Sequence, residues 1–225
     1  NDTIEVTGRM NISSSVNIVG KLSVGDGLHV SGNTTFSLKN STRSIFSLST
    51  KGFDVSEQDK IVSSNSSAND LFGSSVSLYE NYALVGAPVD STGGAAFIFK
   101  RVGTSWIEQN ILLASDAESG DLFGSSVSLY GDYAIVGAKK EATNGSDSGA
   151  AYIFKRNING NTWTQQAKLT PNAASINDLF GVSVSLYEDY ALIGASGNNS
   201  SQGSAYIFKR NGSAWTQQQK ITASD

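Results

Sequence analysis

Few side chains in this sequence are suited to chemistry, and most of those recur. There is no cysteine, which removes disulfides, thiol catalysis and thiolate metal sites. The single histidine, His29, stands in a glycine-rich pattern, where a solvent-facing strand position suits it better than acid–base work. Asp70, Asp121 and Asp178 each precede Leu-Phe-Gly. Carboxylates can move protons or hold metals, but active sites are usually singular. An aspartate written three times in register reads as the cap of a turn. No Gly-x-Ser-x-Gly, P-loop or His-Glu-x-x-His sequence occurs. The expectation is therefore no catalytic, cofactor-binding or metal-binding residue, no cofactor and no enzyme.

Modification chemistry is better represented. Asn-x-Ser/Thr sequons stand at Asn1, Asn11, Asn33, Asn40, Asn65, Asn144, Asn198, Asn199 and Asn211, nine of the 18 asparagines. About four would match by chance at this serine and threonine content, and those in the repeats fall between expected strands, where a glycan can be carried. Asn11, Asn33, Asn40, Asn65, Asn144, Asn198, Asn199 and Asn211 are the glycosylation candidates. Two other features recur. Lys-Arg at 100–101, 155–156 and 209–210 reads as a solvated strand end. The tyrosine pairs Tyr79/Tyr82, Tyr130/Tyr133 and Tyr187/Tyr190 frame a tight turn or offer a surface on which sugars stack.

These residues sit on a repeat. DLFGSSVSLYENYALVGA (70–87), DLFGSSVSLYGDYAIVGA (121–138) and DLFGVSVSLYEDYALIGA (178–195) place Phe72, Phe123 and Phe180 51 and then 57 residues apart. Alternation predicts four strands per unit. The first covers Ser74–Tyr79, Ser125–Tyr130 and Val182–Tyr187. Two-residue turns follow at Glu80-Asn81, Gly131-Asp132 and Glu188-Asp189, types suited to positive φ. The second strand begins at Tyr82, Tyr133 and Tyr190, and the third covers Ala96–Arg101, Ala151–Arg156 and Ala205–Arg210. The fourth begins at Trp106, Trp163 and Trp215, and a spare copy of it stands at Lys60-Ile61. Ala87 to Phe97 spans ten residues, Ala138 to Tyr152 fourteen and Ala195 to Tyr206 eleven, so the connection between the second and third strands is the variable loop.

Four antiparallel strands at this period make a β-propeller blade, because one twisted sheet cannot bury both faces alone and stacked blades can. Phe72-Gly73 followed by Gly86-Ala87-Pro88 resembles the FG-GAP repeat of integrin α chains and microbial surface proteins. The later units depart at the last position, Lys139 and Ser196. The resemblance runs over about residues 60–225. It implies an all-β fold of FG-GAP propeller blades and a role in adhesion or protein recognition. Some relatives bind Ca²⁺ through Asp-x-Asp-x-Asp-Gly loops between the first two strands; that hairpin is two residues long here, so the calcium role does not carry over.

Residues 1–52 follow another rule. Short apolar pairs broken by Gly20, Gly25, Gly27 and Gly32 suit an N-terminal β stalk or assembly segment resembling viral and phage fibres. Ordinary strands packed on the propeller, or disorder, are the alternatives. The expected domains are 1–52 and 53–225, with blades at about 70–120, 121–177 and 178–225. The net charge of −4 argues against nucleic acid, and no apolar run reaches the ~18 residues of a membrane span. Three units and a spare strand do not close a ring, so either the chain continues into further blades or separate chains complete one another. The composite expectation is an extracellular or cell-surface, glycosylated structural or adhesive protein, a fibre or surface-layer subunit. Its partners would be itself, as a homo-polymer, or other surface proteins and glycans. A ligand-binding adhesion propeller is the alternative, and a propeller hydrolase stands behind it.

Overall fold

The computed structural model of the protein describes residues 59–65, 67–157 and 162–223. The chain divides between Asp54 and Val55, and all described residues lie in the unit Val55–Asp225. The stalk expected over 1–52, His29, and the candidates Asn11, Asn33 and Asn40 lie outside the described residues.

The fold is all-β, built of three four-stranded blades. Blade 1 contains β1 (Ser75–Tyr79), β2 (Tyr82–Ala87), β3 (Ala95–Val102) and β4 (Ser105–Leu112). Blade 2 contains β5 (Phe123–Tyr130), β6 (Tyr133–Ala138), β7 (Ala150–Asn157) and β8 (Thr162–Leu169). Blade 3 contains β9 (Phe180–Tyr187), β10 (Tyr190–Ala195), β11 (Ser204–Asn211) and β12 (Ala214–Thr222), with one helical turn, Asn198–Ser201, between β10 and β11. Each is a four-stranded antiparallel meander in chain order. This order places the interblade linkers and the loops between second and third strands at one end of the blades. The two tight hairpins lie at the other end. The first residue of each β1–β2-type turn has positive φ: 50° at Glu80, 57° at Gly131 and 51° at Glu188.

Two expectations need correction. β5 and β9 begin at the phenylalanines, two residues before the expected starts, because Phe123 pairs across a bulge with Ala138 and Phe180 with Ala195 of the same blade, and each also forms a parallel bridge, to Gly94 or Gly149 of the preceding blade. Such a bridge requires a blade in front. β1, with none among the described residues, begins at Ser75. The spare strand at Lys60-Ile61 is not a strand. A fourth strand needs a third to pair with, and none is free among the described residues. Side chains hold the segment instead: Asp59 accepts the Trp106 N–H (2.9 Å) and Glu108 accepts from Ser64 (2.8 Å).

Alternation gives every sheet two apolar faces, and these bury each other. One core joins the back of blade 1 (Tyr82, Leu84, Ile98, Leu112) to the front of blade 2 (Phe123, Val127, Leu129, Tyr152, Phe154, Trp163). A second joins Tyr133, Ile135, Ile153 and Leu169 of blade 2 to Phe180, Leu186, Ile193, Tyr206 and Phe208 of blade 3. Fully burying one such side chain contributes about 1.5–3 kcal/mol, so the junctions rather than the single sheets hold the fold. A third cluster on the front of blade 1, Ala83, Val85, Phe97 and Phe99, is packed against by Ile61, Phe72 and Trp106.

Candidate functional site

The residues that repeat meet at the two blade junctions. At the first, a Cβ added to Gly86 would lie 2.0 Å from the Gly124 carbonyl oxygen, and at the second a Cβ on Gly137 would lie 2.0 Å from that of Gly181. The Phe-Gly of one blade thus rests on the Gly-Ala of the blade before it, and only glycine allows that approach. Ser75 and Ser126 donate to those same carbonyls (2.7 Å each). Ser77 and Ser128 accept the N–H of Leu129 and Leu186 in the following blade (2.9 and 3.0 Å). The phenylalanine then seats edge-on: Phe123 against Tyr152 and Phe154, Phe180 against Tyr206 and Phe208.

The three aspartates are turn caps. Asp70, Asp121 and Asp178 are buried, and each carboxylate accepts the N–H of the residue three positions earlier, Ser67, Glu118 and Ser175. Their backbone carbonyls accept from Val89, Lys140 and Gly197, tying each linker to the variable loop of its blade. Burial raises the Asp121 pKa, and the Glu118 N–H offsets part of that.

The Lys-Arg pairs are more than solvated strand ends. Arg156 donates to Asp132 in the β5–β6 turn of its own blade and reaches back to the Tyr82 hydroxyl of blade 1 (2.6 Å), its guanidinium 4.6 Å above the Tyr82 ring centre. Arg210 does the same with Asp189 and with Tyr133 of blade 2 (3.0 Å; 4.4 Å to the ring). Trp163 and Trp215 close edge-on over the same two tyrosines. The other tyrosines stack along the blades, Tyr79 on Tyr130 and Tyr130 on Tyr187, both at 5.1 Å. The rings considered as a sugar platform are largely engaged with neighbouring blades. A basic dipeptide alone does not reveal this, because the partner lies 74 or 77 residues away in the chain.

One cluster is complete only once, although its lysine and ring recur, Lys220 lying over Tyr206 as Lys168 lies over Tyr152. The Lys168 ammonium on β8 contacts Asp116 in the linker (2.6 Å), Glu141 in the longest variable loop (3.0 Å) and the Thr143 hydroxyl (2.9 Å). It also lies 5.6 Å from the centre of the Tyr152 ring. Burial alone would lower the Lys168 pKa, but its bonds to Asp116 and Glu141 raise it. Burial alone would raise the Asp116 pKa, and Lys168 turns that into a fall. Tyr152 is pushed upward, first by burial and then by Asp116. Chemically this is a compensated charge network. Among the described residues no group of three metal-ligating side chains gathers.

Of the described sequons, Asn65, Asn144, Asn199 and Asn211 are exposed. Asn211 is the last residue of β11 rather than a loop residue. Asn198 is buried; its amide nitrogen donates to Asp178 (2.9 Å) and its carbonyl accepts from Ser204 (2.8 Å).

The sequence profile described as FG-GAP repeat matches residues 55–99, 106–154 and 163–208. Each later match joins the preceding blade's fourth strand to the next blade's first three, β4 with β5–β7 and β8 with β9–β11. No curated protein matches the sequence. Among solved structures, Saccharomyces cerevisiae Sqt1 aligns with a TM-score of 0.45 at 9% identity, over 68% of this chain and 35% of Sqt1. A protein from Lactobacillus plantarum aligns with a TM-score of 0.31 at 10% identity, over 67% of this chain and 55% of its own. The chain therefore spans less than two thirds of either. No described helix is long and apolar enough to cross a membrane.

Proposed function

Because the chain belongs to the FG-GAP repeat family, we propose that it is an extracellular, glycosylated structural or adhesive protein without enzymatic activity, its blades forming part of a self-assembling fibre or surface layer. One observation carries the reading. The side chains written three times are the ones spent on joining blade to blade: Phe-Gly on Gly-Ala, serine on backbone, arginine on tyrosine. A repeat conserved within one chain for its junctions is a repeat used for assembly. The exposed sequons support an extracellular setting, since a glycan needs a solvent-facing asparagine. Its partners are itself or other surface proteins and glycans, with neither nucleic acid nor the membrane interior among them.

The test is glycopeptide mass spectrometry on native protein from the secreted or surface fraction. Hexose-bearing peptides are expected at Asn144, Asn199 and Asn211, with Asn198 bare because its amide is engaged. Unmodified peptides at all three exposed sites would overturn the glycosylated, extracellular reading. A ligand-binding adhesion propeller is the second reading. It is favoured by the gathering of linkers and unequal loops at one end of the blades, where the Lys168 network braces the longest loop. A saturable ligand on a glycan array would establish it.

A further inference from the structure

Five of the eight tyrosines in the chain are engaged where they stand. Tyr82 and Tyr133 lie under arginine and against tryptophan across the blade junctions. Tyr152 and Tyr206 are buried edge-on against Phe123 and Phe180. Tyr190 carries the Lys209 ammonium over its ring. The other three, Tyr79, Tyr130 and Tyr187, end the first strand of each blade. Their ring centres stand 5.1 Å apart at both steps, with the planes tilted by 50° and 56°. Among the described residues these are the only contacts of tyrosine ring with tyrosine ring, and none of the three hydroxyls bonds to a described residue. A ring that only closed its own turn would face its hairpin partner. Tyr79 is paired in register with Tyr82 and Tyr130 with Tyr133, yet both rings are laid across the junction onto the next blade's tyrosine.

From this we propose that Tyr79, Tyr130 and Tyr187 form an oxidative cross-linking site, at which a peroxidase with hydrogen peroxide joins neighbouring blades by a carbon–carbon bond between tyrosine rings. Two phenols each give up one electron and one proton, leaving two phenoxyl radicals whose unpaired spin is shared with the ring carbons ortho to oxygen. Two such carbons form the bond. Their two ring hydrogens are then transferred to the oxygens, so both phenols are regenerated. Overall two hydrogen atoms leave the protein, and they reduce one hydrogen peroxide to two waters. The fold supplies proximity, because radicals formed on rings already in contact meet as an intramolecular pair. Tyr130 has two ortho carbons and a tyrosine on either side, so it can be joined to Tyr79, to Tyr187 or to both. It stands in the blade covered on both faces and is still half-exposed, so an oxidant reaches the ladder without any open blade face. With no cysteine in the sequence, no disulfide can tie one blade to the next. Tyr79 and Tyr130 are 51 residues apart and Tyr130 and Tyr187 57, so each link closes a long loop and restrains the unfolded chain. The site needs neither a second copy nor a glycan, so it stands independently of the assembly reading above.

The experiment is oxidation of the full 225-residue chain, in dilute solution, with a haem peroxidase and hydrogen peroxide. Intact mass and peptide mapping of the single-chain fraction follow. Wild type is expected to lose two hydrogen atoms per link, to gain dityrosine fluorescence, and to yield linked peptides that pair Tyr130 with Tyr79 or with Tyr187. Tyr130→Phe should lose both links, and Tyr79→Phe and Tyr187→Phe one each. Each of these variants keeps the ring and removes a hydroxyl that bonds to no described residue, so the fold survives, and a melting curve checks this. Tyr190→Phe should cross-link as wild type does, since that ring has no tyrosine neighbour. Wild type oxidised in urea should not give the paired products, because the rings no longer meet. A folded chain left unlinked, links formed only between chains, or links mapped to other tyrosines would each overturn the proposal. An undiminished yield in Tyr130→Phe, or the same pairs at the same yield in urea, would overturn it as well.

Discussion

Lys168 holds together three segments that have no sequence relation to one another. Glu141 is almost fully buried, and the ammonium is its compensating charge. Removing one member of a buried pair strands the other, at a cost of about 3–5 kcal/mol. Lys168 and Asp116 keep some solvent contact, which places Lys168→Met toward the lower end, about 3 kcal/mol by urea unfolding. Adding Glu141→Gln should restore most of the loss. The exposed Lys140–Asp147 pair, at 3.7 Å, should give under about 1 kcal/mol in the same assay. The two pKa shifts define the pH window. Asp116 is lowered in the fold, so its contribution is present above the unfolded carboxylate value of about 3.9 and disappears as pH falls through the folded value. Lys168 is raised, so its contribution is full below about 10.4 and disappears as pH rises through the folded value. The stability gap between wild type and Lys168→Met should therefore form a plateau that narrows at both ends. A gap that did not change with pH would mean the network contributes packing and not charge. Asp121 works in the opposite direction: its raised pKa means that protonation at low pH favours the fold.

At the scale of the strand, the second strands show which glycines are structural. Gly137 has ordinary φ, so the reason for glycine there is space. Its alanine variant would place a methyl against the Gly181 carbonyl and push two blades apart. An overpacked contact of this kind costs about 1–3 kcal/mol. Gly131 has open space around it and positive φ, and Glu80 and Glu188 stand at its counterparts. Gly131→Asn should therefore be close to neutral, since asparagine tolerates the left-handed conformation. Equilibrium unfolding of both variants separates the two demands; equal losses would refute the assignment of Gly137 to close approach. The third strands bear on the same junction. Arg156→Gln would lose the Asp132 and Tyr82 bonds together, so it should loosen blade 1 from blade 2 more than Arg101→Gln, whose guanidinium bonds, among the described residues, to Asn81 of its own blade.

For the whole molecule, three blades joined by two junctions behave as a short one-dimensional array, in which stability follows neighbour contacts. Blade 2 is covered on both faces, so amide exchange should be slowest in β6 and β7 and faster in β10 and β12. Uniform protection across the three blades would mean that they unfold as one unit. The fold should also be indifferent to calcium. The buried aspartates are occupied by backbone N–H groups, and Asp116 and Glu141 by Lys168. Melting in EDTA and in excess Ca²⁺ should coincide, and a large fall in EDTA would reveal a metal site.

The number of blades, their four strands, the tight hairpins and the turn-capping aspartates could all be read from the sequence. Each depends on local chemistry repeated in register: alternation, turn residues and a fixed Leu-Phe-Gly. Tertiary structure decided what the repeated polar residues are for. Arg156 finds Tyr82 and Ser126 finds Gly181 only when one blade lies on another, because these partners are separated by 74 and 55 residues. The early start of β5 and β9, the unpaired course of Lys60-Ile61 and the burial of Asn198 have the same origin. Each turns on whether a neighbouring segment is present to pair with, and periodicity carries no information about that. The Lys168 network was the least legible feature: the lysine recurs at Lys220, but Asp116 in a linker and Glu141 in the long loop meet Lys168 only because the fold gathers linker, long loop and fourth strand at one end of a blade.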